Sequence, residues 1–410
     1  MTDRLEGARV LIYSHDTFGL GHLRRCRAIA HALVDQYKGL SALILSGSPI
    51  IGSYDFRARV DFVRIPGVIK LHNGEYTSLG LHIDLDQTLT MRESIIRHTA
   101  ETFRPDLFLV DKEPLGLHHE VAATLAVTRQ QGARNVVGLR DIMDDDSSLR
   151  DEWRKKHVMP ALENLYDEIW IYGIEQMGNP LAAVNASPSI QNKSVFTGYL
   201  PRTIPQDTTL SNPINTPEPF ILVTVGGGGD GGDIIDWVLR AYESENSIPC
   251  GALIVLGPFM SPHEREVFLE RVVKLDRVQA ITFDSRIEVL MERAAGVVAM
   301  GGYNTFCEIL SLNKPAVLLP RTKPRKEQYI RATRAQELGL VNVLDVDSDR
   351  PVDVMVAALC ELPDQTLPSQ VLLPGLLDGF EVINRRVKQQ IDPDAPEMPD
   401  WPVQAVTAIT

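Results

Sequence analysis

Two series of short apolar runs, each run followed by a helical pattern, are divided by one polar stretch, residues 199–219, which is rich in Pro, Thr, Ser and Asn and has no apolar period. Alternating β and α segments commit a chain to parallel sheets wrapped by helices, because a parallel strand needs a crossover to return beside its neighbour. The first series places strands at residues 9–13, 42–45, 106–110, 135–139 and 168–172, with a helix over 23–37. The second places them at 220–225, 252–256, 278–283, 296–300 and 316–320, with a helix over 233–242. The fold class is therefore α/β, with two Rossmann-like units.

A chain of 410 residues exceeds one ordinary core and fits two. The expected division is residues 1–200, a linker over 201–219, and a second domain over 220–372. Residues 391–410, rich in proline and acids, read as a mostly disordered tail or a surface strap. No apolar run is long enough to span a bilayer, and the N-terminus has no basic stretch followed by a long apolar core, so a cytoplasmic protein is expected. Four cysteines, each more than fifty residues from the next, exclude local CxxC pairs. A net charge of -13 argues against nucleic acid as a partner. The sign reverses locally: residues 321–334 hold six basic side chains against one acid, Glu327, which suits a diphosphate or an anionic lipid surface.

The most specific block follows the apolar run 296–300. Gly301-Gly302 reads as a turn, Asn304 or Thr305 as the cap of a helix, Glu308 lies about one turn further on, and Gln328 stands twenty residues after Glu308. A helix N-terminus reached through glycines offers free N–H groups and the positive end of a dipole, which together attract phosphate. Glu308 could then accept from paired ribose hydroxyls. The loop from Gly226, Gly227, Gly228 and Gly229 through Asp230 to Gly232 also joins a strand to a helix, and six of its seven residues lack a Cβ, so backbone can come close to a ligand. Lysine and Ser or Thr do not follow in Walker order, which argues against an ATP-hydrolysing loop. Phe283 and Arg286, after the 278–283 run, are candidates for the wall of a nucleobase site.

In the first series, the segment from Ser14 to Cys26 joins the first strand to the first helix at the carboxyl edge, where open parallel sheets bind ligands. It contains Gly19-Leu20-Gly21 but no third glycine, and Ser46-Gly47-Ser48 rather than an acid ends the second strand, so a dinucleotide fingerprint is absent. His22, at the start of the helix, is disfavoured as a cation by the helix dipole; as a neutral imidazole it can take a proton from a hydroxyl. His15 is its nearest competitor, and Asp16 is placed to orient either ring. Asp111-Lys112-Glu113 and Arg140-Asp141 end two further strands at the same edge, where loop salt bridges are the plainer reading.

Taken together, these motifs resemble the GT-B glycosyltransferases, particularly the MurG-like branch, which contains the peptidoglycan N-acetylglucosaminyltransferase and the glycosyltransferase family 28 C-terminal domain. The likeness runs over residues 8–387, with its specific part in the glycine motifs and residues 301–332. It implies parallel sheets facing across a cleft, an acceptor side at 1–200, a nucleotide-sugar side at 220–372, and a helix over 373–390 crossing back to the first domain. It puts a proposed base on His22, with Gly19, Gly21, Arg24, Asp111 and Arg140 toward the acceptor. The diphosphate loop falls on Gly226 to Gly229, the ribose acid on Glu308, and the donor-sugar amide on Gln328, with Glu327 where the family often has a second Gln. The implied reaction is inverting, metal-independent transfer of a hexosyl group from a nucleotide-diphosphate sugar, most often UDP-linked, to a saccharide or lipid-linked acceptor in polysaccharide or glycoconjugate synthesis. No cofactor is expected beyond the donor, and a lipid-linked acceptor would bring the basic segment to the inner membrane face. The run from Gly19 to Cys26 is also similar to nucleotide-sugar hydrolases of pseudaminic acid synthesis. A hydrolase or 2-epimerase, and a non-catalytic nucleotide-sugar-binding protein, are the alternatives.

Overall fold

The computed structural model describes residues 5–15, 21–70, 75–204, 218–227, 229–244, 247–284, 286–345 and 349–392. Its contacts divide the chain into two units: residues 1–200 with 374–410, and residues 201–373.

The first unit is built on a seven-stranded parallel sheet in the order β3-β2-β1-β6-β7-β8-β9. Its strands are β1 (Arg9–Ser14), β2 (Ser41–Ser46), β3 (Val60–Arg64), β6 (Leu107–Asp111), β7 (Arg134–Arg140), β8 (Glu168–Tyr172) and β9 (Ser194–Phe196). Between β3 and β6, β4 (Val68–Lys70) and β5 (Tyr76–Ser78) pair antiparallel as a separate hairpin. Every residue of β6 and β8 is buried, as continuous apolar runs require when a sheet is covered on both faces. Leu11, Val110, Val137, Leu139 and Ile171 from these strands pack with Trp153 and Leu162 from the helices.

The second unit carries a six-stranded parallel sheet in the order β12-β11-β10-β13-β14-β15. These are β10 (Phe220–Thr224), β11 (Gly251–Val255), β12 (Val278–Ile281), β13 (Gly296–Ala299), β14 (Ala316–Leu318) and β15 (Asn342–Val343). Ile221, Val223, Ile254 and Val298 pack against Trp237 and Val238 of the helix Gly232–Ser244.

In both sheets the first strand lies inside. Successive strands are laid to one side of it, and then the chain crosses to the other, between β1 and β6 in the first unit and between β10 and β13 in the second. Such a switch leaves a crevice at the carboxyl ends of the two strands. The helix Gly379–Ile391 belongs to the first unit: Tyr37 Oη donates to the Asn384 carbonyl at 2.8 Å, and Arg386 and Gln390 both bond Glu168. Its entry is close-packed, since a Cβ on Gly379 would lie 2.5 Å from the Tyr199 carbonyl oxygen. Residues 201–204 of the expected linker group with the second unit, 205–217 lie outside the described residues, and so does the tail beyond residue 392. Among the described residues no helix is long and apolar enough to cross a membrane.

Candidate functional site

At the first switch point β1 and β6 run side by side, Tyr13 opposite Val110, and deliver His15 and Asp111 to one edge. The helix Gly21–Gln36 presents His22 and Arg25, three residues apart on one face. Both reach Asp111, which is fully buried. Arg25 Nε donates to Asp111 Oδ1 at 2.8 Å and Arg25 Nη2 to Oδ2 at 2.6 Å, while His22 Nδ1 lies 2.6 Å from the same Oδ2. A carboxylate only accepts, so this network assigns the proton to Nδ1 and leaves the lone pair on Nε2. The 3.0 Å between Arg25 Nη2 and His22 Nδ1 is then the approach of two donors that share one oxygen.

Burial pushes His22 down to about 4, against the opposing pull of Asp111, so its ring is neutral at physiological pH. Burial pushes the Asp111 carboxyl up, but Arg25 and then His22 outweigh it and hold the group well below the usual carboxylate range. His15 is neutral as well, lowered first by burial. Its Nδ1 sits 3.4 Å from Tyr13 Oη, and its ring meets His22 edge-on with centroids 5.8 Å apart. Tyr13 Oη in turn donates to Glu120 Oε1 at 2.5 Å, and Arg92 clamps that carboxylate through Nε and Nη2, both at 2.6 Å. His15 is thus 6% exposed within a closed network, whereas the His22 side chain keeps 17% exposure. Of the two histidines, His22 is the one open to a substrate.

The orienting carboxylate seen on His22 is Asp111; Asp16, expected in that role, lies outside the described residues, as does Gly19. Gly21 is the first residue of the helix and Arg24 is half-buried on it. Arg140 ends β7, where the neighbouring Asp141 accepts from Tyr199 Oη at 2.6 Å.

At the second switch point Thr224 stands opposite Ala299. Gly301 then adopts φ +77°, and a Cβ there would meet Leu318 Cδ1 at 3.0 Å, so the turn requires glycine. Gly302, extended at φ -58° and ψ 151°, leads directly into the helix Tyr303–Ser311 without any side-chain cap. This corrects the expectation of a cap at Asn304 or Thr305: the helix starts earlier, both residues fall in its first turn, and Asn304 Oδ1 accepts from Arg202 Nη2 at 2.9 Å.

Arg202 is 9% exposed, its backbone N–H donates to Ser311 Oγ at 2.9 Å, and its Nε meets no acceptor. Among the described residues it has no carboxylate partner. A buried guanidinium beside the positive end of a helix is unfavourable unless an anion joins it.

Glu308 lies further along the same helix, 1% exposed. Gln328, on the helix Glu327–Glu337, accepts from the Arg321 backbone N–H at 3.3 Å, and its Nε2 lies 3.8 Å from where a Cβ on Gly302 would stand. The turn and the amide, twenty-six positions apart, therefore share one place. Glu327 Oε1 accepts from Arg321 Nη2 at 3.3 Å, and Arg321 Nη1 reaches back to Asp230 in the glycine loop after β10. In that loop Gly226 has φ +64°, and the Gly227 carbonyl accepts from Phe259 N–H at 2.8 Å. A Cβ on Gly229 would meet nothing within 4 Å, and Gly228 lies outside the described residues. Phe283 is half exposed, and Arg286 precedes the short helix Ile287–Arg293 with its N–H on Asp284 Oδ1 at 2.7 Å.

Two residues escaped the sequence reading. Arg25 stands three residues after His22, a helical spacing that could have revealed it. Arg202 lies in a segment read as linker, and nothing in its local sequence marks it.

Residues 221–357 match the model of the Glycosyltransferase family 28 C-terminal domain. A search with the whole sequence matches no curated protein. Among solved structures the chain is similar to Phytolacca americana UGT2 complexed with UDP-2fluoro-glucose and pterostilbene, at 12% identity over 93% of this chain and 95% of that one, with a TM-score of 0.60. It is similar to Acinetobacter baumannii MurG at 12% identity, 92% and 95% coverage and a TM-score of 0.52. A Listeria monocytogenes protein described as a UDP-N-acetylglucosamine 2-epimerase aligns at 14% identity, 93% and 95% coverage and a TM-score of 0.62. At these identities the likeness is one of fold, and the fold is GT-B.

Proposed function

We propose that this GT-B chain, a glycosyltransferase by its family 28 C-terminal domain and its fold, moves a hexosyl group from a nucleotide-diphosphate sugar to a hydroxyl of a saccharide or lipid-linked acceptor. The observation that carries this reading is the His22–Asp111 pair. A protein that only held a nucleotide sugar would need the second unit alone, yet the first presents a neutral imidazole with one nitrogen fixed and the other left basic.

In the reaction, His22 Nε2 takes the proton of the acceptor hydroxyl as its oxygen bonds the anomeric carbon. The bond from that carbon to the diphosphate oxygen breaks, and its electron pair leaves with the diphosphate. A single displacement of this kind inverts the anomeric centre. The departing charge is met by the N–H groups at the start of the helix Tyr303–Ser311 and by Arg202, so the reading calls for no metal. Glu308 takes the ribose hydroxyls and Gln328 the sugar, with Phe283 beside the base. UDP is the favoured nucleotide, because two structures of similar fold hold it, UGT2 as UDP-2fluoro-glucose and LpCGTa as UDP. The enzyme would work in the cytoplasm, in polysaccharide or glycoconjugate synthesis, with peripheral membrane contact if the acceptor is lipid-linked.

The test is a melting-temperature screen against UDP, GDP, ADP, dTDP and their sugar conjugates, followed by product analysis with the stabilising donor. A ligand that binds only the native state raises the melting temperature. One nucleotide diphosphate should do so, and an acceptor should then yield an inverted glycoside. Release of free sugar at the same rate with or without any acceptor would identify a hydrolase. No response to any nucleotide would overturn the donor reading.

A further inference from the structure

We infer that Arg25 is a positioning residue whose two-pronged hold on Asp111 acts with burial to keep His22 neutral with its proton on Nδ1, the form in which Nε2 can act as a base. The inference rests on the proposed role of His22, but its evidence is geometric. Asp111 has two oxygens, and Arg25 occupies both, through Nε at 2.8 Å and Nη2 at 2.6 Å. His22 shares only Oδ2. An Asp–His pair alone stabilises the imidazolium and so raises the histidine toward protonation. With the guanidinium already in place, a protonated His22 would put a second cation 3.0 Å from Arg25 Nη2 on the same carboxylate. The carboxylate is left strong enough as an acceptor to fix the tautomer, while its capacity to favour a charged ring is already taken up.

The surroundings hold this arrangement rigid. Arg25 is 2% exposed and lies over the Tyr172 ring of β8, its Cζ 5.7 Å from the centroid. That ring fits because residue 138 is glycine: a Cβ there would stand 1.9 Å from Tyr172 Oη. Among the described residues the other charged or titratable groups near His22 are Lys112, next to Asp111, and His15, after β1. Lys112 adds a second positive charge that disfavours protonation of His22, and neutral His15 adds none. Glu113, beside Lys112, pairs with it at 3.6 Å and with Lys156 at 2.7 Å. No carboxylate other than Asp111 bonds His22 among the described residues.

The ring nitrogens report the form of His22 directly, without substrate. Full-length protein labelled with 15N-histidine would be titrated by NMR, with His22 assigned from its loss in His22→Gln. In the wild type His22 should stay neutral and Nδ1-protonated down to about pH 5, well below an ordinary histidine near 6.5. Arg25→Met, and Arg25→Gln, which keeps an N–H donor without charge, should each raise the His22 midpoint by about one pH unit or more. Arg25→Lys, which keeps a charge but loses the fork, should fall between. An unchanged midpoint in a folded Met or Gln variant would overturn the inference. So would a wild-type His22 titrating at or above the ordinary value, even if neither variant folds. Because the readout needs no donor, failure to find transfer activity would count against the proposed function and leave this result standing.

Discussion

The two switch points are alike in backbone and unlike in how their buried cations are paired. Each is a crevice where a parallel sheet reverses its strand order, and each meets the start of a helix. At the first, the buried cation Arg25 and the buried anion Asp111 satisfy each other and fix a neutral ring. At the second, the buried cation Arg202 has an amide oxygen but no anion among the described residues. The same topology pairs its buried cation with a carboxylate in one unit and, among the described residues, leaves Arg202 without one in the other. A closed electrostatic set is suited to controlling a proton, and an open one to receiving an anion.

The largest test of this contrast falls on the first edge. His22→Gln should lower turnover by about 10³-fold, within the range general base catalysis supplies, and leave donor affinity unchanged. Asp111→Asn should cost about 10²-fold or more for a different reason. The amide can turn an N–H toward His22 Nδ1, which then accepts, and the proton moves to Nε2 where it blocks the base. Steady-state kinetics beside calorimetric titration of the donor would separate the two effects. If either substitution weakened donor binding while sparing turnover, the edges would have exchanged roles and the comparison would break.

A smaller effect is expected at the second edge, and there affinity and stability should part company. Arg202→Met removes a charge-assisted partner for the diphosphate, so UDP binding should weaken by about 10- to 100-fold. The same change removes a buried cation that lacks a counter-ion, so the melting temperature of the free protein should hold or rise. A protein that loses stability and keeps its affinity for UDP would show Arg202 to be only a structural tie to Asn304.

What the sequence made legible was local. Runs such as Leu107-Phe108-Leu109-Val110 announce strands buried on both faces, and Gly301-Gly302 announces its turn because positive φ and close approach to Leu318 are properties of a single position. The short or mixed strands β3, β4, β5, β9 and β15 carry too few apolar residues to stand out. His22 could be singled out by its place at a helix start, but its partner could not, since the contact with Asp111 spans 89 positions. The carboxyl-edge rule put both residues on one side of a sheet without pairing them. Arg202 was less accessible still: its contacts lie 102 and 109 positions away, across a stretch whose composition suggested only a linker.

The smallest expected effect has the opposite sign and probes whether the second edge is held in reserve for an anion. Arg321 is shared by Asp230, from the glycine loop, and Glu327, at the start of the next helix. Asp230 is half exposed, so its pair with Arg321 should contribute at most about 1 kcal/mol. A diphosphate entering beside that loop would have to compete with the Asp230 carboxylate for the guanidinium. Asp230→Asn keeps the size of the side chain and ends the competition, so UDP affinity should rise by about 2- to 5-fold, with the gain shrinking as salt screens the site. Calorimetric titration at two ionic strengths would resolve a change of that size. Weaker binding would mean that Asp230 shapes the loop for its ligand rather than standing in its place, and the charge deficit of the second edge would then belong to Arg202 alone.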